Sequence, residues 1–221
     1  MNDNFSFDIM KKSLLTLLVS FVLVFVSCEK IDDNIQGPDA PQNVQQHNTE
    51  PYFSEAVELM GLIFRLSGAA EYNGCEVTSV ANSADSYFAS AVNHQAVRLA
   101  KQYREDGVAY DAVTGYANQL IFNEQGDIIF DPDYLEGSNG SFDRWSSKQK
   151  TDMLEAINDF YQSTNFRDWF ESTNREQQQA IASFKSLCNL DYSWFDSFYG
   201  KNDKIASRII LSFMIGGHNG S

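Results

Sequence analysis

The sequence is poor in the residues on which many catalytic and nucleic-acid-binding proteins depend. Of its 221 residues only three are histidine, three are cysteine and four are proline. The 16 lysines and arginines are outnumbered by 30 aspartates and glutamates. The net charge of -14 repels phosphate backbones, and no basic patch with interleaved aromatic residues offsets it. We therefore expect no nucleic-acid partner.

The few histidines also make a catalytic metal site improbable. A zinc hydrolase usually carries His-Glu-x-x-His on one helix face. His47, His94 and His218 are the only histidines, and no two of them lie within a helical turn. There is no Gly-x-Ser-x-Gly nucleophile motif and no glycine-rich phosphate loop. The chain's own residues therefore predict no catalytic site, no metal and no cofactor.

Long hydrophobic runs are scarce too, and the one in residues 14–26 is informative. Thirteen helical residues cover about 20 Å, which is too short for a hydrocarbon core of about 30 Å. Lys11 and Lys12 precede this run, and Ser27 and Cys28 follow it. The pattern predicts a signal peptide over residues 1–27 and a lipid on Cys28. An ordinary secretory signal with an incidental cysteine is the alternative.

Three details refine the leader and its destination. Phe25 stands where the lipobox usually has leucine, and the acidic residues before Lys11 suggest that translation starts at Met10. Residues 28–50 are polar, lack apolar periodicity and predict a lipidated flexible tether. We expect an exported outer-membrane lipoprotein whose partner is the membrane. The acidic stretch 29–33 resembles surface-export signals of some Gram-negative lipoproteins, although a solvated tether explains it equally well.

From residue 51 to residue 221 the pattern predicts one mostly helical domain, mainly α with a minor β component. Apolar residues recur at helical spacing, and a small hairpin interrupts them, followed later by a β-branched run that indicates a buried strand. The predicted helices cover 54–66, 83–92, 94–105, 110–121, a segment capped by Ser146 or Ser147, 165–172 and 175–199; the hairpin joins 119–123 to 127–130, and the strand covers 205–215.

The terminal strand has no obvious neighbour in the sequence. A lone buried strand leaves backbone groups unsatisfied, and the only other β signal is the hairpin. The strand is followed by Gly-Gly-His-Asn-Gly, which is typical of a connector. We therefore expect the domain to be truncated at its carboxyl end.

Two groups of residues could form sites. Asp127, Asp131, Asp133 and Glu136 place four carboxylates within ten residues. Calcium favours such oxygen-rich loops, but the spacing matches no EF-hand, and a solvated acidic loop is the preferred interpretation. Tryptophan and phenylalanine adjoin at 169–170 and 194–195, and with Trp145 they could stack on a sugar, although helical spacing favours core positions.

Cys75 and Cys188 remain once Cys28 is acylated. In an oxidising compartment these two thiols can pair, and closing so long a loop stabilises by about 4 to 5 kcal/mol in the chain-entropy model. The apolar helical surroundings of Cys188 favour a buried free thiol instead. Two free thiols are the preferred interpretation.

Several stretches carry a family resemblance: 57–68 (VELMGLIFRLSG), 71–73 (EYN), 87–88 (YF), 94–97 (HQAV) and 107–113 (GVAYDAV). Together they resemble the amino-terminal half of an uncharacterised family of secreted bacterial proteins related to gluzincin-type zinc metallopeptidases. The resemblance spans roughly 52–219. It implies that the zinc-binding helix belongs to a carboxyl-terminal part beyond the late strand, so no metal or catalytic residue is carried over.

Three hypotheses follow for function. The first is a shortened metallopeptidase-like lipoprotein without catalytic activity of its own. The second is a helical binding module at the cell surface that holds a peptide or a glycan. The third, which ranks last, is an intact enzyme with an unrecognised site.

Overall fold

Helices make up most of the structure, a computed structural model that describes residues 50–75, 77–132, 144–188, 192–199 and 209–215. The mainly α class with a minor β component is confirmed. In chain order the elements are β1 (Tyr52–Phe53), α1 (Glu55–Leu66), α2 (Thr78–Tyr87), α3 (Gln95–Glu105), α4 (Asp111–Ala117), β2 (Leu120–Phe122), β3 (Ile128–Phe130), α5 (Ser147–Ser163), α6 (Phe166–Ser172), α7 (Asn174–Leu187), α8 (Tyr192–Tyr199) and β4 (Ile210–Leu211), with 3-10 turns at Ala70–Tyr72 and Ala89–Ala91.

Helix α1 lies at the centre of the domain. Ten of its twelve residues are buried, and it packs against α3, α4 and α6. A helix that is buried on nearly all sides needs neighbours on all sides. Ser54 caps α1 at the start of the predicted helix, because its hydroxyl accepts the N–H of Val57 at 3.4 Å. Gly68 ends the helix with a φ of 84°.

A second layer is built on α5, which packs against α3, α6 and β3. Ser146 starts α5 in a capping box with Gln149, as the sequence predicted. The predicted hairpin is also confirmed, since β2 and β3 pair antiparallel. Asn158 of α5 holds the hairpin edge: its Oδ1 accepts the N–H of Ile128 and its Nδ2 donates to the carbonyl of Ile128, both at 2.8 Å.

Three helix boundaries differ from the prediction. Helix α2 starts at Thr78 instead of 83, because alanine and serine in this region give only a weak hydrophobic period. Helix α4 ends at Ala117 instead of 121, because the next residues pair in the hairpin. The segment predicted as one helix over 175–199 contains two, since Cys188 is extended (φ -114°, ψ 112°) after α7.

The terminal strand is shorter than predicted, and it has a neighbour. Within the described part of 205–215 only β4 is a strand, and it pairs in parallel with β1, with Tyr52 opposite Ile210. The N–H of Tyr52 also donates to the carbonyl of Ile209 at 3.1 Å. The expectation of a strand without a partner was therefore wrong. Two residues were too short a run for a β pattern to mark β1.

After β4 the chain packs against α1, and a glycine of α1 makes this close contact possible. A Cβ placed on Gly61 would lie 2.8 Å from the backbone carbonyl carbon of Met214. Phe213, Met214 and Ile215 are all buried in this position. The carboxyl-terminal segment is thus part of the core, packed directly on the backbone of α1.

We expect Gly61→Ala to lower the free energy of unfolding by about 1 to 3 kcal/mol through overpacking. Alanine is the better helix former by about 1 kcal/mol, so helix propensity alone predicts the opposite sign. Urea denaturation measures the difference. Gly74→Ala is the matched control, because its added Cβ meets nothing within 4 Å. A Gly61→Ala variant at least as stable as the parent contradicts the close approach.

Candidate functional site

A carboxylate lies in the core, between α1 and the carboxyl-terminal segment. Glu58 is 1% exposed, and its Oε1 accepts the N–H of Phe213 at 2.7 Å. The Ser212 hydroxyl also donates a hydrogen bond to this carboxyl group. The Oγ of Ser212 in turn accepts the N–H groups of Met214 and Ile215, at 3.2 and 3.1 Å. Burial raises the pKa of Glu58 to about 7. Because each of these donors to Glu58 belongs to the protein itself, the hydrogen bonds hold residues 212–215 against α1.

The two described cysteines carry free thiols and are not bonded to each other. Cys75 donates to the carbonyl of Val77 at 3.6 Å. Burial raises the pKa of Cys75, and Glu58 acts in the same direction. A thiol with a raised pKa is a poor nucleophile. Cys188 packs beside Phe184 in a small apolar cluster near β4, as its apolar surroundings in the sequence suggested.

His94 lies near a serine and an aspartate, but the arrangement differs from a catalytic triad. Its Nδ1 accepts the N–H of Ala96 at 3.2 Å and so caps α3. Its Nε2 lies 3.1 Å from Asp159 and 3.5 Å from Ser163. A triad needs the carboxylate on one ring nitrogen and the serine on the other. Here both lie at Nε2, which indicates a helix cap.

The backbone of Tyr110 adopts a conformation that a non-glycine residue rarely takes. It has φ 56° and ψ -121°, yet 48% of this residue is exposed. Such conformations cost about 1 to 3 kcal/mol and persist only when their surroundings hold them. Tyr72 supplies one restraint, because its hydroxyl donates to the carbonyl of Tyr110 at 3.5 Å.

A second restraint comes from Arg144. Its guanidinium donates to the carbonyl of Ala109 at 3.0 Å and to the carboxylate of Asp111. The residues on either side of Tyr110 are therefore bound by the same side chain. Contacts on both sides explain how this exposed position keeps an unfavourable backbone.

Arg104 lies beside the same tyrosine. Its Nε and Nη2 donate to the two oxygens of Glu71 at 2.6 and 2.7 Å, in a bidentate pair. This hydrogen bonding to Glu71 raises the pKa of Arg104, and Tyr110 adds to the effect. We call Glu71, Arg104, Tyr110, Asp111 and Arg144 the Tyr110 surface. It combines an exposed aromatic ring with two guanidinium–carboxylate pairs.

No feature of the sequence pattern identified the Tyr110 surface. The pattern predicted only that a helix begins near residue 110, and a positive φ at a tyrosine has no sequence signature. Two stretches of the family resemblance, 71–73 and 107–113, do supply three of its members, Glu71, Tyr110 and Asp111.

The acidic residues considered for calcium are only partly described. Asp127 and Asp131 flank the two ends of the three-residue strand β3, so four steps along an extended chain separate them by roughly 13 Å. Asn123 organises the adjacent turn, its Oδ1 accepting the N–H groups of Gln125 and Asp127 at 3.0 and 2.8 Å. Asp133 and Glu136 lie outside the described residues, as do Cys28, His47 and His218.

The tryptophans divide between core and surface. Trp145 and Trp169 are buried, and the indole N–H of Trp145 donates to the carbonyl of Ala112 at 2.8 Å. Neither can therefore belong to an exposed sugar-stacking platform. Trp194 is exposed and stacks on Phe198.

In the described part of the chain, no three histidine, cysteine, aspartate or glutamate side chains come together so that they could hold a metal ion. None of the helices that the structure describes is both long and apolar enough to cross a bilayer. Comparison with protein families, curated proteins and solved structures gave no match to this chain. The resemblance to metallopeptidase-like proteins therefore stays a prediction.

We expect the stability of the protein to fall as pH rises from 4.5 to about 7. The raised pKa of Glu58 means that the folded protein keeps a proton which the unfolded chain releases near 4.5. Rising pH therefore favours unfolding until the folded-state carboxyl also ionises, near 7. At 1.36 kcal/mol per pKa unit the full effect is roughly 3 kcal/mol.

Urea denaturation at a series of pH values measures this effect as the difference between the parent and Glu58→Gln. The glutamine keeps an acceptor for the N–H of Phe213 but does not titrate, so its curve should be flatter. Glu105→Gln, on the exposed end of α3, is the matched control and should follow the parent. Parallel curves for the parent and Glu58→Gln contradict the assignment.

Proposed function

We propose that this chain is an outer-membrane lipoprotein, exported and anchored through a lipid on Cys28, whose helical domain binds a ligand. The anchor rests on one observation. The positive pair Lys11 and Lys12, the apolar run 14–26 and the Ser27-Cys28 ending occur in the order that lipoprotein export requires.

Acyl chains supply the affinity for the membrane. Each buried CH2 contributes about 0.8 kcal/mol, so two or three chains on Cys28 give effectively stable anchoring. Between Cys28 and Pro51 the sequence has 22 residues, mostly polar and without apolar periodicity. A flexible chain of that length reaches roughly 25 Å. The tether therefore keeps the domain close to the bilayer.

We expect Cys28→Ser to abolish incorporation of an alkyne-tagged fatty acid and to move the protein from the membrane fraction to the soluble fraction. The serine hydroxyl cannot form the thioether of a lipoprotein. Cys75→Ser is the matched control, and it should remain labelled and membrane-bound. Retention of the label by Cys28→Ser would place the lipid elsewhere and contradict the anchor.

The binding role rests on the Tyr110 surface, and a glycan fits its chemistry better than a peptide. The exposed Tyr110 ring offers an apolar face for the C–H face of a sugar. Arg104 and Arg144 are about two-fifths exposed and are each fixed by a carboxylate. Guanidinium donors at fixed positions, with the partly exposed Asp111 carboxylate beside Arg144, suit the adjacent hydroxyl groups of a sugar.

We expect Tyr110→Gly to separate binding from stability. Glycine accepts the backbone of this position, so the free energy of unfolding should rise by about 1 kcal/mol after its entropic cost. Retention on an immobilised panel of neutral and acidic oligosaccharides should be lost at the same time. Urea denaturation and panel binding of the full-length protein measure the two effects.

Tyr87→Gly is the control, because Tyr87 is exposed to a similar extent but lies in α2. It should lose stability by about 1 kcal/mol and keep binding. Unchanged oligosaccharide binding in Tyr110→Gly refutes the glycan assignment. Binding of a peptide panel, in place of oligosaccharides, transfers the assignment to peptides.

The metallopeptidase-like interpretation is a separate proposal. It rests on the family resemblance of the stretches around α1, α3 and α4, and it requires a zinc-binding helix outside this sequence. The genomic sequence downstream of codon 221 tests it: a continuation encoding His-Glu-x-x-His supports it, and its absence there opposes it.

A further inference from the structure

We propose that Trp194 and Phe198 lie against the headgroup region of the membrane that carries the anchor, and so orient the domain on the bilayer. This inference rests on the proposed lipidation of Cys28. We call Trp194 and Phe198 the aromatic pair. They lie one helical turn apart on α8.

The aromatic pair is a large apolar surface exposed to water. Trp194 is 52% exposed and Phe198 is 67% exposed. Their ring centroids are 5.3 Å apart with an interplanar angle of 13°, so the two rings are stacked on each other. Tryptophan combines an apolar body with a polar N–H, and this combination favours the boundary between water and hydrocarbon.

The predicted tether joins the domain near the end of α7. Glu50, the first described residue after the tether, pairs with Lys185 in the last turn of α7. Phe53 and Cys188 contact the same small apolar cluster. The amino-terminal end of the described domain and the end of α7 are therefore neighbours.

Chain connectivity keeps α8 close to that point. Only three residues separate Cys188 from Tyr192, so the start of α8 lies within about 14 Å of the end of α7. Two further helical residues add about 3 Å to reach Trp194. The tether adds a reach of roughly 25 Å from Cys28. The aromatic pair thus lies close to the point where the anchored tether joins the domain.

A tether raises the occupancy of a weak contact between the domain and the bilayer. A linker of this length replaces a bimolecular encounter with an intramolecular one, at an effective concentration near the millimolar range. The net charge of -14 opposes binding to anionic lipids. We therefore assign the contact to zwitterionic headgroups and to aromatic burial, with no contribution from a basic patch.

The test uses the full-length lipidated protein in phosphatidylcholine vesicles with and without brominated acyl chains, which quench tryptophans at the interface. We expect the emission to be lower in brominated vesicles, by up to about one third, because one of three tryptophans is in contact. Trp194→Phe should remove this loss. Trp145→Phe is the matched control and should retain it, since Trp145 is buried. Phe198→Ser should reduce the loss at least twofold.

Intact mass separates this inference from the proposed lipidation. Acylated protein with equal emission in both vesicle types overturns the membrane contact and leaves the anchor standing; a second copy or a glycan covering Trp194 gives that result. If the mass shows no acyl chain, the anchor fails. In that case Trp194-dependent quenching at high lipid concentration still supports the contact, and its absence overturns it.

Discussion

The structure depends on an ionisable side chain held inside the core. Glu58 lies on the buried helix α1, where a carboxylate without partners would cost several kcal/mol. The N–H of Phe213 and the hydroxyl of Ser212 satisfy it, and both belong to the other end of the described chain. The hydrogen bonds thus satisfy the buried carboxyl group and fix the position of the carboxyl-terminal segment. Loss of either partner leaves a buried polar group unsatisfied.

Backbone shape adds to this constraint. Gly61 lies one turn after Glu58 and lets the Met214 backbone approach α1 within van der Waals contact. The parallel pair of β1 and β4 then joins the two ends of the described domain. A pair of two-residue strands is too short to be stable alone. It persists because its side chains, among them Ile210 and Leu211, are buried beside α1 and the end of α7.

The two proposed surfaces use different physical means. The Tyr110 surface is rigid, because its backbone conformation is held by Arg144 and Tyr72 and because Glu71 fixes Arg104. Preorganised side chains suit selective recognition of a polar ligand. The aromatic pair on α8 offers exposed apolar area with little directionality, which suits a bilayer surface that any orientation of lipid can satisfy.

The sequence by itself determined the local features of this protein. Helical periodicity, the Ser54 and Ser146 caps and the hairpin are encoded by residues a few positions apart, so pattern and propensity predict them. Only the tertiary structure decided which distant residues meet. Segments separated by 30 to 160 residues supply the partner of β4, the donors to Glu58 and the ion pairs of the Tyr110 surface. No local pattern encodes such contacts, because they arise when packing brings the segments together and buried polar groups then need partners.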